Sequence, residues 1–307
     1  MLLGIINERV RRVNDSRPYT SLRFAQTCQV WYTGRMTPVL FTLGWIDVPS
    51  FTALMALALG VGLWLAWNAA RRAKLPPADV LDAALVGVLT GLLAARAMYV
   101  SDNWSYFRDH TDQMTQLWQG GLAWHGGLIG GALGTTAFSL WRKLDVRAVF
   151  DTLTPGLMGG AVLGWIGAYL AGVAYGREVF PGDRWWFLAA DLPDIYGLRN
   201  PRFATQLMGA AWAAVCCAVA IVAGPRYPLG VKSQEPEARV STCAATMTLY
   251  SAGMLALGFA RGDAVPMLGA WRLDQGIDAA IILAGVTWLI RAAPGPFVFR
   301  PKNNSHH

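Results

Sequence analysis

The chain has 307 residues, of which 54% are hydrophobic and only 15% charged. That is too apolar for an ordinary soluble domain, where about a quarter of residues carry charge. The net charge of +7 comes from Lys and Arg set in short clusters between apolar runs, which is a membrane pattern and argues against nucleic acid as a partner.

Residues 1–45 carry Arg9, Arg11, Arg12, Arg17 and Arg23 between short apolar stretches and read as an extramembrane or interfacial segment. Apolar runs near bilayer length, about 20 residues, then recur. They fall at about 50–69, 80–100, 121–141, 149–175, 204–223, 242–260 and 277–290. The expected fold is therefore all-α and polytopic, with about seven transmembrane helices spanning 46–292, a small extracytoplasmic cap at 177–203 and a cytoplasmic tail at 293–307. The ends of runs one, three, five and seven carry Arg71/Arg72/Lys74, Arg142/Lys143/Arg147, Arg226/Lys232/Arg239 and Arg291/Arg300/Lys302. The positive-inside rule makes that side cytoplasmic, with the N-terminus outside and the C-terminus inside. Fourteen tryptophans suit interfacial aromatic belts. Cys28, Cys216, Cys217 and Cys243 form no CxxC pair, and no disulfide framework, metal or cofactor is expected.

Ionisable residues inside apolar runs are costly and mark candidate sites. Arg96, His125, Arg177 and Arg261 fall at one expected depth, near the outer ends of their helices. Arginine forks match phosphate oxygens, and a histidine carries protons near neutrality. The alternative is that these arginines simply snorkel to the interface. The stretch GGLAWHGGLIGG, residues 120–131, is equally double-edged. Gly126 and Gly127 let a lipid chain or a helix come close beside His125. Gly127, Gly131 and Gly134 also have the spacing of ordinary tight helix packing. Asp151, Glu178 and Asp263 are further ionisable residues at helix ends.

GGLAWHGGLIGG resembles the GGLxxHGGLIGG signature of the prolipoprotein diacylglyceryl transferase family. AARAMYV, the run from Asp151 to Gly176, PRFATQLMG, LYSAGMLALGFARGD and LDQGIDAAIILAG are similar to further family segments in the same order, covering about 48–291. The resemblance implies a bacterial inner-membrane enzyme. It would move a diacylglyceryl group from phosphatidylglycerol to a lipobox cysteine of a preprolipoprotein, releasing glycerol phosphate. It also implies His125 as the catalytic residue, and Arg96, Gly126, Gly127, Gly176, Gln206 and Arg261 as lipid or phosphate contacts, to which the shared depth adds Arg177.

The chain departs from that pattern at several polar positions. The family's Gly-Arg-x-Gly-Asn-x-x-Asn-x-Glu falls on Gly164 to Val173, placing Trp165 at the arginine, Ala168 and Ala171 at the asparagines and Val173 at the glutamate. Met254, Gly258 and Phe51 stand at three more polar positions. A second expectation follows: a catalytically inactive lipid-binding or scaffold subunit of a membrane complex with the same fold. A transporter fits less well, because no helix carries a chain of ionisable groups at mid-membrane depth.

Overall fold

A computed structural model describes residues 39–43, 46–117, 120–193, 199–224, 241–263, 265–269 and 271–292. The expected N-terminal segment, apart from its last few residues, and the expected tail at 293–307 lie outside these, as does Cys28. A short hairpin, β1 (Val39–Leu43) and β2 (Ile46–Pro49), leads into α1 (Ser50–Ala73). Then follow α2 (Pro77–Asp102), the single turn α3 (Trp104–Phe107), α4 (Trp124–Trp141) and α5 (Val146–Leu170). A hairpin of β3 (Ala189–Pro193) and β4 (Arg199–Phe203) precedes α6 (Thr205–Ala223) and α7 (Thr242–Gly258). Two residue pairs, β5 (Met267–Leu268) and β6 (Trp271–Arg272), close the next loop before α8 (Leu273–Ala292).

Among the described residues five helices, α1, α2, α5, α6 and α8, are long and apolar enough to cross a membrane. The two shorter ones, α4 with 18 residues and α7 with 17, fall outside that set, so five of the about seven expected crossings meet this measure of length and composition. The fourth apolar run was expected to continue to residue 175. It ends as helix at Leu170, because Gly172 (φ 67°) and Ala174 (φ 54°) turn the backbone left-handed.

Two inter-helix turns share one construction. Lys74 (φ 55°) after α1 and Lys143 (φ 58°) after α4 take the left-handed conformation. The next amide in each case reaches back to the last turn, Leu75 N to Ala70 O at 3.0 Å and Leu144 N to Ser139 O at 2.8 Å. Those bonds satisfy carbonyls that a helix end otherwise orphans, and the lysine charge suits the negative end of the helix dipole. The following helices start cleanly, α2 on Pro76-Pro77 and α5 on Asp145, whose carboxylate accepts from Arg147 N at 3.0 Å.

Helix pairs then pack through small residues, because lipid gives apolar side chains no reason to leave it and close backbone contact supplies the attraction instead. In the antiparallel pair α2 and α4, a Cβ placed on Gly91 would lie 2.9 Å from Gly127 O. One placed on Gly126 would lie 2.7 Å from Ala94 O, and one on Gly130 would lie 2.7 Å from Thr90 O. Thr90 also donates to Gly130 O at 2.9 Å, tying the two helices together. In α1 and α5, a Cβ on Gly62 would lie 3.1 Å from Gly156 O. The glycines around His125 are thus used for packing, one of the two readings their spacing allowed.

Gly130→Val should push α2 and α4 apart and cost about 2 kcal/mol or more. Gly164→Ala, where an added Cβ meets nothing within 4 Å, should be neutral or slightly stabilising by a few tenths of a kcal/mol. Thermal unfolding in detergent reads both, and equal midpoints for Gly130→Val and wild type would contradict this packing.

Candidate active site

The residues singled out in the sequence fall into two groups. The first lies where α2 ends and α4 begins. His125 opens the first turn of α4, and its Nε2 stands 3.5 Å from Asp102 Oδ2 at the end of α2. The His125 side chain is only 17% exposed, whereas Asp102 is 46% exposed, so the pair reaches from the protein to its surface. Trp124 packs edge-on against the imidazole at a centroid distance of 6.1 Å.

Arg96 belongs to this group but is already engaged. It is 6% exposed and donates to Met114 O at 2.8 Å, Gln113 O at 2.6 Å, Gly121 O at 3.0 Å and also Gly120 O. Its guanidinium lies 5.7 Å from the Tyr99 ring centre and 5.4 Å from that of Phe107. Arg96 therefore fastens the loop that delivers the chain to His125. Within that loop Gly121 has φ 77°, and any Cβ there would run into the Tyr99 ring, so both space and conformation call for glycine.

The second group lies at the base of the β3–β4 hairpin. Gly176 and Arg261 form an antiparallel bridge, Arg177 N donates to Ala260 O at 2.9 Å, and Gly262 N donates to Tyr175 O at 2.9 Å. Gln206, 2% exposed, donates to Val173 O at 2.9 Å, while its own carbonyl oxygen is buried without a partner among the described residues. Glu178 accepts from Arg202 at 2.7 Å and Asn200 at 2.9 Å.

Arg261 sits in a closed square of charge. It donates through Nε and Nη2 to Asp263 at 2.9 and 2.5 Å and through Nη1 to Asp274 at 3.0 Å. Arg272 completes the square, 3.0 Å from Asp263 and 3.2 Å from Asp274. Burial would raise the Asp263 carboxyl, but the Arg261 hydrogen bond and the charges of Arg261 and Arg272 hold it below its ordinary 3.8. Burial likewise opposes the charge on Arg261, and the neighbouring carboxylates outweigh it, so Arg261 is raised. Arg177 is different: it is exposed, lies 5.4 Å from the Phe203 ring centre and forms no ion pair among the described residues.

Between the helices, Trp165 covers Gly209 and donates from Nε1 to the Tyr250 hydroxyl at 3.1 Å. Where the resemblance places an arginine, the chain thus has a packed indole with its one donor used. Asp151 is also committed, accepting from Ser241 Oγ at 2.6 Å and Cys243 N at 2.8 Å and so capping α7. Sequence reasoning passed over Asp102, Arg272, Asp274 and Asp278, the last hydrogen-bonded to Ser251. Asp278 had a readable signal, a carboxylate in an apolar run, while Asp102 had none until folding brought it to His125.

An apolar cavity of about 680 Å³ runs among α1, α2, α4 and α5, a size usual for small-molecule and lipid-chain sites. Gly127 and Leu128, directly after the histidine turn, line it, with Met55, Leu63, Leu157 and Gly164 on facing helices. Thr135, Thr154 and Cys243 supply its few polar side chains.

The family profile described as prolipoprotein diacylglyceryl transferase matches residues 38–291. The chain belongs to that family. It is 30% identical to a phosphatidylglycerol–prolipoprotein diacylglyceryl transferase of Nostoc sp. over 272 residues, covering 85% of this chain and 92% of the relative. It is 28% identical to the protein of the same name from Acaryochloris marina, covering 82% and 90%. A third, from Thermosynechococcus vestitus, matches at 32% over 151 residues, and that match spans about half of either chain, 49% of this one and 55% of the relative. With its apolar helices, the chain is a multi-pass membrane protein.

Asp263→Asn should lower the unfolding free energy near neutral pH by about 3 kcal/mol, because two partly buried arginines lose a shared partner. The native Asp263 pKa is depressed, so its contribution is present above the ordinary carboxylate range and fades as pH falls through the folded value, below 3.8. Denaturation midpoints of wild type and variant should therefore converge in acid. A constant gap down to that range would rule out the ionised square as its source.

Proposed function

We propose that the chain transfers a diacylglyceryl group from a phospholipid, phosphatidylglycerol by the names of its relatives, to a cysteine thiol of a prolipoprotein. The observation that carries this is His125 beside Asp102 at the head of the helix that lines the apolar cavity. In the reaction the thiol S–H bond breaks, its proton passes to His125 Nε2, and the sulfur attacks the glyceryl carbon. The carbon–oxygen bond to phosphate breaks as the carbon–sulfur bond forms. Glycerol phosphate leaves, and His125 returns the proton to it or to water. Asp102 keeps the imidazole oriented. The cavity holds acyl chains so that the headgroup lies beside His125, and Arg177, free of an ion pair among the described residues, is a cation for the phosphate. By the positive-inside rule the His125 end faces outward and the Arg71/Arg142/Arg291 end faces the cytoplasm of a bacterial inner membrane, with the N-terminus outside and the C-terminus inside.

A specific observation favours a second reading, a lipid-binding subunit without catalysis. Arg96 and Arg261 have their donors committed within the protein, and Trp165 stands at the arginine position. Each missing electrostatic contact to the transition state costs on the order of a hundredfold in rate.

The two readings separate in a bacterium depleted of its own transferase. Wild-type chain should restore lipidation of a reporter prolipoprotein, His125→Ala should abolish it, and Arg177→Gln should slow it about tenfold or more. Asp102→Asn should lower the rate severalfold, because the imidazole loses the carboxylate that orients it; a rate equal to wild type would remove Asp102 from the mechanism.

 No rescue by membrane-inserted wild type would overturn the transferase reading and leave the lipid-binding one.

A further inference from the structure

The end of the bundle opposite His125 contains a cation that no part of the transferase reading uses. Arg147, in the first turn of α5, has Nε and Nη2 buried with no hydrogen-bond partner among the described residues. Its guanidinium lies 5.9 Å from the ring centre of Trp288, near the end of α8. The acidic groups nearest in the chain are otherwise occupied: Asp145 accepts from the Arg147 backbone amide to cap α5, and Asp151 accepts from Ser241 Oγ and Cys243 N; at the same end, Asp79 is paired with Arg142.

More positive charge stands at the same level. α1 and α5 are antiparallel with Gly62 against Gly156, and Phe51 against Gly167 keeps that register toward the other end. Following it nine residues from Gly62 and Gly156 toward the basic end brings Arg71 level with Arg147. On α8, Arg291 lies one turn beyond Trp288. Both Arg71 and Arg291 are exposed. The positive-inside rule accounts for exposed arginines at helix ends. It does not account for a guanidinium with buried, unanswered donors, since burying a charge without a partner is strongly unfavourable.

We infer that Arg147 and Trp288, with Arg71 and Arg291 at their level, form a phosphate site that holds the headgroup of an anionic phospholipid in the leaflet at the basic end of the bundle. The indole supports one face of the guanidinium and leaves its edge to fork onto phosphate oxygens. Acyl chains of the same lipid lie along the exposed apolar faces of α1 and α8, where Trp64, Leu283 and Ile290 point outward. The site is separate from His125 and does not depend on the transferase reading. The same phosphate chemistry is offered by free inorganic phosphate, and the test separates the two.

Delipidated full-length protein in detergent is titrated with phosphatidylglycerol, phosphatidylcholine or inorganic phosphate, and bound lipid is counted by native mass spectrometry. Wild type should retain one phosphatidylglycerol more than Arg147→Gln, whose affinity for that lipid should fall about tenfold, with phosphatidylcholine unaffected. His125→Ala should retain the same lipid as wild type. Trp288→Leu keeps every charge and should weaken binding severalfold, which preserves the test if Arg147→Gln fails to fold. Equal phosphatidylglycerol affinity in wild type and the folded Arg147→Gln variant, or in wild type and Trp288→Leu if that variant alone folds, would overturn the site. Stabilisation of wild type by inorganic phosphate matching that by phosphatidylglycerol, and lost in the same variant, would overturn the lipid assignment in favour of a free anion.

Discussion

Close contact between helix backbones is the constraint on which the rest of this structure depends. In hydrocarbon, backbone polar groups are satisfied inside helices, and apolar side chains gain nothing by leaving lipid for protein. Cohesion has to come from surfaces that fit at short range. Gly91 on Gly127 and Gly62 on Gly156 supply such surfaces, and side chains larger than hydrogen there would separate the helices. The same substitutions of small for large leave the space that becomes the apolar cavity, since Gly62, Gly91, Gly127 and Gly156 all line it. Packing and lipid binding are therefore two consequences of one choice of residue.

Charge in this protein follows a second rule: cations are spent on holding chain segments in place. Arg96 gathers the carbonyls of the loop before α4, and so fixes where His125 emerges. Arg261 and Arg272 bind Asp263 and Asp274, and so join the end of α7 to the start of α8. An arginine engaged by carbonyls or carboxylates cannot offer the same donors to a phosphate without breaking what it holds. Arg177, which is exposed, and Arg147, whose Nε and Nη2 are buried, do not follow this rule among the described residues, one at each end of the bundle.

The positions of the helices were legible because hydrophobic runs of bilayer length are a property of consecutive residues. Their ends were less so. Leu170 ends α5 because two residues beyond it turn left-handed, and Ala174 gives no sign of that in its side chain. The site was legible in part. His125 and its glycines stand out as a local string, and the family assignment over 38–291 agrees with the resemblance they carry. The state of Arg96 and Arg261 did not stand out, because their partners are 13 to 25 residues away in the chain for most of their bonds.

By itself the sequence determined the membrane setting, the approximate helices and the family, all of which rest on composition, run length and contiguous motifs. Only the tertiary structure decided which polar groups remain available. It paired Asp102 with His125, packed Trp165 over Gly209, closed the charge square around Arg261 and left Arg147 Nε and Nη2 unanswered among the described residues. The physical reason is that a hydrogen bond or ion pair is a short-range relation between atoms, and which atoms meet is fixed by how the helices pack, not by their order along the chain.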